Sequence, residues 1–103
     1  MTMNQKPLPD FSSRAKSLIA GSLYEHYKGN RYKIIAVARH SETLEELVVY
    51  QALYGDYGVW VRPLAMFLEE ILIDGRLQPR FKLLSYTEVS SKFGFVASRK
   101  PRG

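Results

Sequence analysis

The chain has no cysteine, so it can build neither a disulfide framework nor a thiolate zinc site. That suits a reducing compartment, and the chain reads as cytoplasmic. No apolar run approaches the ~20 residues that a membrane-spanning helix requires, and no membrane partner is expected. The opening, MTMNQKPLPDF, lacks the apolar stretch of a signal peptide. There is no Gly-rich phosphate loop, no dinucleotide fingerprint and no Gly-x-Ser-x-Gly elbow around Ser41, Ser85, Ser90 or Ser91. Accordingly no catalytic residue is assigned, no metal and no cofactor are expected, and an enzyme is not the favoured reading.

What is present fits one small globular domain. The chain has 103 residues, of which 46% are hydrophobic, with seven Tyr, five Phe and one Trp. Tyr favours pleated, half-buried surfaces, which leans the reading toward strands. The net charge of +5 is unevenly placed. Residues 1–21 carry +2, residues 22–86 carry none, and residues 87–103 carry +3. The basic excess therefore lies in the tails around a neutral centre. Such tails support weak, non-specific contact with nucleic acid phosphates at most.

The pattern along the chain predicts an N-terminal extension over 1–20, a β domain over 21–86 and a basic, flexible tail over 87–103. Within the extension, SSRAKSLIA (12–20) has the length of a short helix, with Ser12 or Ser13 as cap and Gly21 as its end. Strands are expected at 22–27, 31–40, 47–53, 59–63 and 80–84, with a further edge strand conceivable at 93–97. In the second strand, alternation puts Tyr32, Ile34, Ala36, Ala38 and His40 on one face, taken as the core face. Between Pro63 and Asp74-Gly75, the spacing of Leu64, Phe67, Leu68 and Ile71 predicts one short helix or helical turn. The expected core includes Ile34, Ala36, Val49, Val61, Phe67 and Phe81. The fold class is mostly β: about five strands with a helical turn before the last, closed as an SH3-like barrel or roll so that no sheet edge is left exposed.

Five motifs, LYEHYKG, ARHSET, VVYQAL, WVRP and PRF, follow one another over residues 21–84. In this they resemble a family of small bacterial proteins catalogued as a domain of unknown function. The resemblance implies an SH3-like barrel and no established activity.

The candidate ligand-binding residues are Tyr24, His26, His40, Tyr50, Trp60, Arg62 and Arg80. His26 and His40 can serve as hydrogen-bonding structural groups or as ligand contacts. Arg62 and Arg80 can pair internally with Glu69, Glu70 or Glu42, or can join the histidines in a small anion pocket at one end of the barrel. The Tyr and Trp side chains fill the core in part, and those near the 54–60 hairpin can form a binding surface. Three functions compete: a binding module for a protein or peptide through the Tyr/Trp surface, a nucleic-acid-associated module using tails and aromatics, and a small-molecule or anion-binding domain using His26, His40, Arg62 and Arg80. The first is preferred. Nothing in the sequence sets an oligomeric state.

Overall fold

A computed structural model describes residues 8–86, so the expected basic tail and the segment 93–97 lie outside the described residues. Ser12 caps a single turn of helix, α1 (Ser13–Lys16), its Oγ accepting from the Ala15 N–H at 3.1 Å. This helix is shorter than the expected 12–20. Its Ala15, and Leu18 just beyond it, are buried in the main core, so the segment is held by packing rather than by its own length.

Four antiparallel strands follow: β1 (Leu23–His26), β2 (Arg31–Arg39), β3 (Glu46–Ala52) and β4 (Val59–Pro63). Pro63 leads into one helical turn, α2 (Leu64–Phe67). The chain then forms a separate hairpin, β5 (Glu70–Ile73) and β6 (Arg76–Pro79), and returns as β7 (Phe81–Ser85). The main sheet runs β4-β3-β2-β1-β7. Ser22, buried beside β1, donates its hydroxyl to the Tyr86 carbonyl and pins the end of β7.

The mostly β architecture, with a helical turn ahead of the last strand, agrees with the sequence reading, but the barrel does not close. β7 comes back beside β1 and β4 pairs with β3, so that both are edges among the described residues. The β5–β6 hairpin accounts for the difference. It takes up the residues that the sequence reading gave to the end of the helix and to a loop. Asp74 and Gly75 both have positive φ, 52° and 79°. That is the geometry of a two-residue hairpin turn, not of a helix end.

The core lies on one face of the sheet, under α2. Tyr24, Ile34, Val48, Tyr50, Phe67 and Phe81 are all buried there, and Phe67 stacks on Phe81 at 4.2 Å and 6°. Three expected core residues face the other way. A β-bulge between Ile34 and Ala36 breaks the alternation of β2. Beyond it Val37, not Ala36, packs against the core. Ala36, Val49 and Val61 instead form a cross-strand row on the outer face, and Val61 is 57% exposed. Val48 and Tyr50 take the inward places on β3.

Candidate functional site

Most candidate residues sit on the core face, and Phe81 organises them. His26 pairs with Phe81 across β1 and β7, and its ring meets Phe81 edge-on at 4.9 Å. The Arg62 guanidinium lies 5.6 Å from the centre of the same ring. Arg62 Nε also donates to the Tyr50 hydroxyl at 3.2 Å. Tyr32 and Tyr50 approach Phe81 edge-on, each at 5.6 Å. Tyr32 shares a 2.8 Å hydroxyl contact with Tyr54, and burial together with that contact pushes its phenol up to about 12.

Arg80 immediately precedes Phe81. Its Nη2 donates to Glu69 Oε1 at 3.0 Å, the internal pairing that the sequence left open. Its Nε is buried and has no hydrogen-bond partner. Arg62 pairs with no carboxylate among the described residues and rests on Tyr50 and Phe81 instead. The charges of Arg62, Arg80 and Lys28 all reach His26. Burial first, and then these cations, hold its imidazole below the ordinary value of 6.5. His26 Nδ1 accepts from the Lys28 N–H at 3.2 Å, which leaves Nε2 as the donor of the neutral ring. Beside His26 is a small cavity of about 130 Å³, which Glu25, Tyr27, Gln78, Pro79 and Lys82 also line.

The sequence expected His26, His40, Arg62 and Arg80 to share one site, and the structure brings together three of them. His40 lies past the far end of β2, about 26 Å along an extended strand from Tyr32. Its Nδ1 accepts from the Glu42 and Thr43 N–H groups at 3.1 and 3.3 Å, stapling its own turn. Tyr24 is buried against the edge of Phe67 and belongs to the core. Trp60 is 58% exposed on β4, directly opposite Tyr50. Tyr32, Tyr54, Lys28 and Glu69 were not among the predicted site residues. The signal for Tyr32 was its place two residues before Ile34 on one face of β2. Among the described residues, no group of three His, Asp or Glu side chains is placed to hold a metal ion. No helix there is long and apolar enough to cross a membrane.

The free edge of β4 is the second feature of this region. The Ala52 N–H donates to the Gly58 carbonyl at 2.9 Å, which marks those two as a hydrogen-bonded pair. Pairs alternate in an antiparallel ladder, so Trp60 and Arg62 also turn their backbone groups toward β3. Val59 and Val61 turn theirs outward, with no strand beyond them among the described residues. Pro63 falls in the outward set, where its missing N–H costs the ladder nothing.

No curated protein matches the chain. The chain resembles the crystal structure of a DUF1653 protein from Bordetella bronchiseptica, with a TM-score of 0.62 and 33% identity, over 71% of this chain and 95% of that one. The model of the same family, described as a protein of unknown function (DUF1653), matches residues 22–83. The span it covers includes β1 to β6, the start of β7 and all seven candidate residues, and the chain belongs to that family.

Proposed function

We propose that the chain is a non-catalytic binding module that takes an extended segment of another protein along the outer edge of β4. The observation that carries this reading is the exposure of that edge. Val59, Trp60 and Val61 are each more than half exposed on a strand whose outward N–H and C=O groups meet no other strand among the described residues. An extended backbone can replace the water on such a row with a full ladder of hydrogen bonds, which makes a strand the fitting occupant. Trp60, with the exposed Tyr54 and Tyr57 nearby in the chain, adds rigid aromatic area of the kind that dominates interface energetics. The order of four strands, a helical turn and a returning strand also supports an SH3-like roll, a fold that places peptide ligands against aromatic side chains. The absence of cysteine supports a cytoplasmic setting.

Peptides selected by display against the full chain test this reading, with backbone amide shifts as the map. The expected result is perturbation concentrated at residues 58–62 and quenching or a shift of Trp60 fluorescence. Perturbation confined to other strands would overturn it. So would sedimentation showing that the edge is already closed by a second copy.

A further inference from the structure

We infer that Arg62, Arg80 and His26 form a binding site for a phosphate group on the core face of the sheet, next to Phe81. This goes beyond the β4 edge and does not depend on a peptide docking there.

The case begins with unspent donors. Arg62 is oriented without a carboxylate among the described residues: Tyr50 fixes its Nε, and its guanidinium carbon lies over the Phe81 ring. An arginine held by its Nε keeps its outer N–H groups for another acceptor. Arg80 spends Nη2 on Glu69 but has a buried Nε with no partner. A buried donor left unsatisfied is costly, and a bound acceptor removes that cost. His26 spends Nδ1 on the Lys28 N–H and so presents Nε2 as a third donor.

Charge gives the second line of argument. Lys28, Arg62 and Arg80 are cations that act on His26, and among the described residues Glu69 is the one acid that pairs with any of them. Glu25 and Lys82 lie opposite one another across β1 and β7 and line the cavity beside His26 with opposite signs. Glu25 also pairs with Arg31 at 3.6 Å, so positive charge is in excess around the neutral His26, which favours a phosphate dianion over a single carboxylate. The aromatic surroundings of Tyr32, Tyr50 and Phe81 strengthen such a contact by excluding water.

The two histidines make the test internally controlled. The full chain is titrated by NMR at fixed ionic strength with sodium phosphate, acetate or chloride, following both imidazole rings. Phosphate should raise the His26 midpoint saturably, because the bound anion offsets the neighbouring cations. His40, in its remote turn, should not move. Phosphate should also raise the melting temperature, at lower concentration than acetate. Arg62→Gln should weaken the phosphate response about tenfold or more. Glu69→Gln, which frees Arg80, should strengthen it and decides the matter should Arg62→Gln fail to fold. The inference is overturned by equal shifts at both histidines, by equal potency of acetate, by an undiminished response in a folded Arg62→Gln, or by no gain in Glu69→Gln.

Discussion

Phe67 carries more of the core than its four-residue helix suggests. It is fully buried, stacked on Phe81 and edge-on to Tyr24 and Tyr50. Phe67→Ala should destabilise the domain by about 3–5 kcal/mol in urea unfolding, while Val61→Ala, on the outer face, should cost less than about 1 kcal/mol. Equal losses would mean that the two faces are assigned wrongly. His26 gives a residue-scale pH dependence. Its folded value lies below 6.5, so the unfolded chain takes up the proton first. Its contribution is therefore intact above pH 6.5 and is lost as the pH falls from there through the folded value. Urea midpoints measured between about pH 5 and 8 should drop toward acid, and His26→Gln should flatten that drop. An unchanged slope in the variant would show that another group titrates.

The elements differ in how far the sequence announced them. Alternation and turn residues place β1 to β4 within about two residues of their observed ends. The bulge at Ile35 leaves no mark in the sequence, because the residues on both sides of it are apolar, and so the inward set shifts from Ala36 to Val37 unannounced. Val48 and Val49 are interchangeable as sequence, and only the packing of Phe67 and Phe81 settles which one points inward. The segment after Phe67 carries both a helical spacing and the β-branched Ile71 and Ile73 ahead of Asp74-Gly75, and the hairpin turn prevails. Gly75 has φ +79° and open space where a Cβ would stand. Gly75→Ala should therefore cost about 1–2 kcal/mol through the backbone alone, and a neutral effect in thermal melts would contradict the assigned turn.

The N-terminal segment shows how an element that is weak alone is held. The Ser12 N–H and hydroxyl both donate to the Glu46 carboxylate at 2.7 Å, and Arg39 lies over Phe11 at 4.0 Å while donating to the Pro9 carbonyl. The Ser12 hydrogen bonds hold Glu46 below its ordinary 4.5, outweighing an opposing desolvation, with a lesser contribution from the Arg39 charge. A depressed carboxylate supports the fold above its unfolded value and releases it as the pH falls below 4.5. Acid should thus shift the Ser12 amide resonance in step with Glu46 protonation, and Glu46→Gln should abolish that step. A step that persists in Glu46→Gln would locate the titration elsewhere.

At the scale of the molecule, one sheet serves two purposes. Its centre is filled by Phe67, Phe81 and the buried tyrosines, and its β4 edge meets no further strand among the described residues. The sequence showed the aromatic and arginine residues of the candidate site but not their grouping. Strand order alone cannot say that β7 returns beside β1, which is what carries Arg80 and Phe81 to His26 and leaves His40 at the other end. The open edge was equally hidden, since the same strands read naturally as a closed barrel.

The edge reading is tested most directly by Val61→Pro. The Val61 N–H faces outward, so proline there removes a donor from the free edge and none from the ladder with β3. The measurement is the affinity of a display-selected peptide for Val61→Pro against the wild-type chain, with melting temperatures taken alongside. The account predicts an affinity loss of about tenfold or more at nearly unchanged melting temperature. A folded Val61→Pro that binds the peptide as tightly as wild type would contradict it.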